Sequence, residues 1–358
     1  MSFFHSALAL ALGALQLAPA PPLPKAGERT GVATSATAAI RDAGQRDALR
    51  FTVWYPTHTA RAETPLSIGP PDAPLFQEAG RVEDAPVSGG RLPTLLLSHG
   101  NGGTARMMGW LGTALARAGY LVIAVDHPGN NGIDPMTLAG SVLPWLRADD
   151  LATALAAVQA DPVLGAHVDT ARLGLVGYSA GGFTALVAAG ARPDMPRLAR
   201  FCAAHPDDGV CRPQDESPTH TQAARVAAAA SPELAPHVRQ AGQSRALPGV
   251  RAAFLLAPAI VQAFDPAELE ALQLPLSIMV GTDDAVAAPA SNSDVAAALA
   301  GNAVIRHLPG VAHYDFLSEC TPLGADRLQG LCRTAVPKAA THAAAVDEAL
   351  RFFGEKLR

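Results

Sequence analysis

The sequence predicts an α/β domain, a mostly parallel central sheet with helices on both faces. Two observations predict it. Apolar, β-branched-rich runs recur along the chain, several of them continuous rather than alternating, as strands buried on both faces require. Between them lie alanine- and leucine-rich stretches of helical length, so strand and helix alternate. With 358 residues, 49% of them hydrophobic, the chain can bury a large core.

The expected strands are residues 49–55, 92–98, 120–126, 173–178, 250–257, 274–280 and 303–308. The expected helices are 104–118, 143–160, 179–191, 291–300 and 341–356. Two regions break the alternation. Residues 56–91, rich in Pro, Gly and Ala, read as a long surface excursion. Residues 192–248 hold Cys202, Cys211, several prolines and two alanine-rich helical pieces. They read either as a small lid-like insertion over the sheet's carboxyl edge or as a surface insertion with no role there.

Only 16% of residues are charged, the formal net charge is -5, and no basic run occurs, which argues against nucleic acid as a partner. Residues 1–20 carry no charged side chain. Their apolar stretch, 7–18, has the length of a signal-peptide core and is too short for a membrane span. Ala18-Pro19-Ala20 supplies small residues at cleavage spacing, although the start lacks Lys or Arg and Pro21 would follow the cut. The expectation is a signal peptide over 1–20 and a secreted or periplasmic protein, with no other stretch reading as a membrane span. Four cysteines, Cys202, Cys211, Cys320 and Cys332, agree with an oxidising compartment. They allow three pairings, of which the two local ones close short loops. A zinc site is disfavoured, because the spacings do not fit CxxC and no histidine pair at ligand spacing accompanies them.

The chemistry-bearing stretch is "LGLVGYSAGG", residues 173–182. An apolar strand gives way at once to a helix, with Ser179 at the turn. Such a turn strains the serine backbone and needs neighbours without side chains at Gly177 and Gly181. It presents the hydroxyl to a cleft outside the strand ends and sets the Ala180 amide at a helix N-terminus, where negative charge is favoured. The same pattern would also fit a serine N-cap at an ordinary strand-to-helix turn. A hydroxyl nucleophile needs a base, and the base an orienting acid, following in the order serine, acid, histidine.

"SIMVGTDDAVAAP" ends a buried strand just before Asp283 and Asp284, and Asp284 is the expected acid with Asp283 as fallback. "VIRHLPGVAHYDF" places His313 after the last strand as the expected base. His307 lies within that strand and reads as a facing residue. "LLLSHGNGG", residues 95–103, follows another strand end with a glycine-rich loop. There the Asn101 amide can join that of Ala180 in an oxyanion hole, with His99 bracing the loop. The loop lacks the lysine and spacing of a phosphate cradle. Tyr178, Met107, Trp145 and Phe316 are candidate pocket residues.

In this order "LLLSHGNGG", "VIAVDHPGN", "GYSAGG", "VGTDDAVAAP" and "GVAHYDFLSEC" resemble the α/β-hydrolase superfamily. More narrowly they resemble bacterial serine hydrolases grouped with platelet-activating-factor acetylhydrolase and predicted dienelactone hydrolases. The resemblance covers about residues 28–357, so that span is expected to form the catalytic domain. It implies Ser179 as nucleophile, His313 as base, and Asn101 and Ala180 as oxyanion donors. Some relatives carry the acid one strand earlier. Here that strand ends at Ala257-Pro258 without a carboxylate, and Asp265 beyond it looks like a helix start, which favours Asp284. True dienelactone hydrolases carry a cysteine nucleophile where this chain has Ser179.

The resulting expectation is a carboxylic-ester hydrolase with an acyl-enzyme intermediate, acting on a small-molecule or lipid-like ester without cofactor or metal. The same triad would serve an acyltransferase or peptidase, and the fold could also carry a catalytically silent binding protein.

Overall fold

The computed structural model describes residues 23–358, so the expected signal peptide lies outside the described residues. Ten strands form one sheet in the order β10-β9-β8-β7-β5-β6-β2-β1-β4-β3. They are β1 (Lys25–Thr34), β2 (Ala48–Thr57), β3 (Thr64–Ile68), β4 (Phe76–Glu83), β5 (Leu92–Ser98), β6 (Leu121–Asp126), β7 (Val168–Tyr178), β8 (Val250–Leu256), β9 (Leu276–Gly281) and β10 (Ala303–Leu308). From β6 to β10 every pairing is parallel, while β2 joins β6 antiparallel and β1 joins β2 antiparallel.

Neighbouring side chains on the parallel strands alternate between two cores, which is why those strands read as unbroken apolar runs. Leu96, Ile123 and Leu175 enter one core beside helices Leu146–Ala160, Ala180–Ala189 and Ser293–Leu299. Leu95, Leu97, Val122 and Val176 enter the other beside helices Gly109–Arg117 and Lys338–Lys356. Phe352 and Phe353 anchor the last of these.

Two elements depart from the sequence reading. Residues 56–91 are not a bare excursion, since β3 and β4 lie there as an antiparallel pair. Their polar-alternating pattern hides the few residues that dock them, Leu66, Phe76 and Val82, all buried. β1 is a further strand that the reading lacked. Its glycines and charges give a weak strand signal, but Gly27 and Gly31 pair opposite Tyr55 and Phe51, whose rings occupy the space a Cβ would need.

The region 192–248 holds helices Met195–Ala204, Gln222–Ala229 and Ala235–Val238 with connecting loops. Cys202 is bonded to Cys211, closing one loop of this region. Cys320 is bonded to Cys332, beside the bridge that Cys320 makes to Phe76. Among the described residues no helix is long and apolar enough to cross a membrane.

β5 sits between β6 and β7. The chain therefore leaves β5 to one side and returns on the other, and a crevice opens at its carboxyl end. Ligands bind parallel sheets at such a switch point.

Candidate active site

Three loops meet at that crevice. The first leaves β7 at Ser179, whose φ of 54° and ψ of -120° lie where side chains are disfavoured. Such strain costs on the order of 1–3 kcal/mol and is held by the surroundings. The surroundings here are backbone. A Cβ on Gly181 would lie 1.9 Å from the Ser98 carbonyl oxygen, and one on Gly177 would lie 2.2 Å from that of Gly181. The two glycines let strand, turn and helix Ala180–Ala189 stack within contact of β5.

The second and third loops follow β9 and β10. Asp283 donates its amide to the Val311 carbonyl at 3.0 Å, and a Cβ on Gly281 would stand 1.9 Å from that same oxygen. Gly281 thus lets the two loops touch. The Asp284 Oδ1 accepts the amides of Val286 (3.0 Å) and Ala287 (2.7 Å), which turns Oδ2 to the His313 Nδ1 at 2.7 Å. His313 Nε2 lies 2.8 Å from the Ser179 Oγ. The Tyr178 hydroxyl donates to the His313 carbonyl at 3.0 Å, fixing the turn from the strand before the serine. All three relay residues are buried. Asp283, by contrast, is exposed and accepts from the Thr282 hydroxyl.

The glycine-rich loop after β5 lies against this relay, with Gly100 packed on Tyr178 and the Ser179 Cβ. The Asn101 side chain is held by Asn130 Nδ2 at 2.9 Å. Among the described residues, neither the Asn101 amide nor the Ala180 amide donates to a protein acceptor. The loop is braced from below. His99 Nδ1 donates to the Gly100 carbonyl (2.6 Å) and its Nε2 accepts the His127 amide (3.2 Å), which defines one neutral tautomer. Burial pushes the His99 pKa well below its usual value.

His127 forms a second, fully buried relay of the same composition. Its Nε2 lies 2.8 Å from Ser98 Oγ and its Nδ1 2.9 Å from Asp150 Oδ2. Arg41 clasps the same aspartate with both terminal nitrogens, at 2.9 and 2.7 Å. Burial alone would raise the Asp150 carboxyl, but the Arg41 guanidinium overrides it and holds the group ionised. Burial lowers the His127 pKa to about 3. Both Ser98 and His127 are sealed from solvent, so this relay can only brace the loop.

Two cavities open on Ser179. The larger, about 970 Å³, is lined by Phe51, Ile68, Phe76, Met107, Leu317 and His313 among others. The smaller, about 70 Å³, shares Asn101 and Ser179 with it and adds Ala180, Arg147, His220 and Arg225. Of the four candidate pocket residues, Met107 and Tyr178 line the larger cavity. Trp145 and Phe316 do not: both are wholly buried, Trp145 in the core beneath helix Leu146–Ala160 and Phe316 against Tyr178 in the opposite core. Large aromatic residues beside a site carry the same sequence signal whether they line a cleft or fill the layer under it. His307 stands exposed on β10, 2.8 Å from Asp294, and His205 is exposed at a helix end. Asp265 caps helix Pro266–Glu270.

Several residues at the site lay outside the sequence reading. Asp215 and Glu216 line the larger cavity and Arg225 and His220 the smaller, all from region 192–248. Burial raises the Glu216 carboxyl above its usual range, and the Tyr314 hydroxyl sits 3.4 Å from it. An insertion without periodicity offers no signal for which of its polar residues turn inward.

The strand order, the two helical layers and the turn at Ser179 are those of the α/β-hydrolase fold. Residues 78–232 match the family model described as "PETase: PET hydrolase-like". A solved ferulic acid esterase from Streptomyces cinnamoneus superposes with a TM-score of 0.59 at 20% identity, covering 95% of this chain and 92% of that one. No curated protein matches the chain significantly. The chain therefore has the α/β-hydrolase fold.

Proposed function

We propose that the protein is a carboxylic-ester hydrolase working through an acyl-enzyme on Ser179. The observation that carries this is the unbroken line from Asp284 through His313 to Ser179, 2.7 and 2.8 Å, ending on a strained, cleft-facing serine. His313 Nε2 takes the Ser179 proton as Oγ attacks the ester carbonyl, and Asp284 holds the tautomer and stabilises the imidazolium. The amides of Asn101 and Ala180 receive the developing oxyanion, each such donor being worth about 3 kcal/mol. His313 then protonates the departing alcohol, and a water activated by the same nitrogen releases the acid.

The large, mostly apolar cavity favours esters with a bulky apolar portion. The charge-free apolar start and the two bonded cysteine pairs support export, with residues 1–20 removed. An intact mass of exported protein lacking those residues checks that part.

The test of the chemistry is Ser179→Ala. It removes the nucleophile from a site whose shape is set by backbone, so circular dichroism should be unchanged while turnover of short esters and labelling by a fluorophosphonate both vanish. Parent-level hydrolysis by the folded variant would end the proposal.

A further inference from the structure

The two cavities at Ser179 differ in chemistry, and the relay decides which part of an ester enters each. This step rests on the reading of Ser179 and His313 given above. The leaving oxygen must face His313 Nε2 to be protonated. His313 lines the larger cavity and not the smaller. The alcohol portion therefore lies in the larger cavity, and the acyl portion points into the smaller one, past Ala180.

That smaller cavity is short and cationic. Its volume of about 70 Å³ corresponds to about five water-sized positions, enough for a chain of about five heavy atoms and too little for an aromatic acid. Arg147 and Arg225 both line it. Arg225 is partly buried, and its Nη2 is tied at 3.0 Å to the Cys211 carbonyl of the bonded loop. Its Nε has no partner, and among the described residues no carboxylate lies within salt-bridge distance of it. Arg147 is wholly buried, also with an unpartnered Nε, and the nearby Asp150 is already claimed by Arg41. A buried guanidinium without a counter-charge is costly and is relieved by an anion.

The larger cavity offers no comparable place. Its arginines, Arg50 and Arg106, are paired with Asp134 and Glu28, and Asp215 and Glu216 stand in its wall.

We infer that the small cavity is an acyl subsite for a short chain ending in a carboxylate, held by Arg225. The preferred substrates are half-esters of short dicarboxylic acids with a bulky apolar alcohol. His220, 2.7 Å from the Ser141 hydroxyl, and Ser217, Gln214 and Asn130 add neutral polar groups to the lining.

The experiment compares benzyl hydrogen succinate with its uncharged isostere, benzyl 4-methylpentanoate. The parent should favour the succinate in kcat/KM by about tenfold or more, the least a charged hydrogen bond would give. Arg225→Gln should erase that ratio and Arg225→Lys should restore part of it. In parallel, the Ser179→Ala protein is titrated calorimetrically with both esters, with and without Arg225→Gln, so that the subsite is read even where nothing turns over. Selective binding of the succinate, lost with Arg225→Gln, supports the subsite even if ester turnover fails. Equal or better binding of the isostere, or a succinate preference untouched by Arg225→Gln, overturns it whatever the turnover.

Discussion

Replacing Asp284 by asparagine isolates the orienting carboxylate. In the structure Oδ1 accepts two backbone amides and Oδ2 faces His313 Nδ1. Asparagine has a single oxygen, and the two amides of Val286 and Ala287 will hold it at the Oδ1 position. The side-chain NH2 then points at Nδ1, which must become an acceptor. The ring proton moves to Nε2, so His313 presents a donor to Ser179 and can no longer take its proton. Loss of the correct tautomer costs about ten-thousandfold in kcat in a serine triad, or about 5.5 kcal/mol. The volume and both amide bonds are kept, so thermal unfolding should move little. The assay is kcat on a short ester, with Asp283→Asn alongside. The Asp283 side chain is exposed and bonds only to the Thr282 hydroxyl, while its backbone bond to Val311 survives the change, so its variant should stay near the parent. An Asp284→Asn enzyme with a tenth or more of parental kcat, or an Asp283→Asn enzyme crippled to the same degree, would refute the reasoning.

Further outcomes follow from packing, linkage and loop closure. Gly181→Ala would drive a methyl into the Ser98 carbonyl, and neither backbone can yield. Chemical denaturation should show a loss of about 3 kcal/mol, at the upper end for overpacking. Gly354→Ala in helix Lys338–Lys356 meets nothing within 4 Å and should gain about 1 kcal/mol from helix propensity. His342 is buried on Trp110, with ring centroids 4.0 Å apart, and its Nε2 donates to the Leu317 carbonyl. Burial lowers its pKa to about 4. The unfolded chain takes up that proton near pH 6.5, before the folded one does, so stability falls as pH drops from about 6.5 to 4, by about 3 kcal/mol. Urea titrations at pH 7 and pH 4 should show His342→Gln losing less than the parent over that interval, and equal losses would exclude this source. Replacing Cys202 and Cys211 together by serine removes a cross-link with a sequence separation of 9. Stability should drop by about 2.5 kcal/mol from loop closure, read by denaturation under non-reducing conditions.

The apolar runs of β5 to β9 were legible as strands because they are buried on both faces, and a strand with two apolar faces needs no context to be recognised. β1, β3 and β4 were not legible. Each buries only a few residues, and their apolar partners, such as Leu66 over Gly109, lie far away in the chain. Ser179 stood out for a local reason, since a serine between glycines at a strand end has few other uses. Asp284 and His313 were placed by the rule that functional groups collect at strand ends. Trp145 and Phe316 show where that rule stops, because sequence does not say which side of a layer an aromatic ring faces.

By itself the sequence determined the layered α/β architecture and the one residue whose local turn forces it into the cleft. These depend on patterns within a few residues, and burial and backbone sterics act at that range. Only the tertiary structure decided that Asp284 rather than Asp283 turns to His313, that two cavities of opposite character meet at Ser179, and that Arg225 stands in the smaller without a counter-charge. Those outcomes depend on which groups from distant segments come within about 3 Å, the distance at which a hydrogen bond forms.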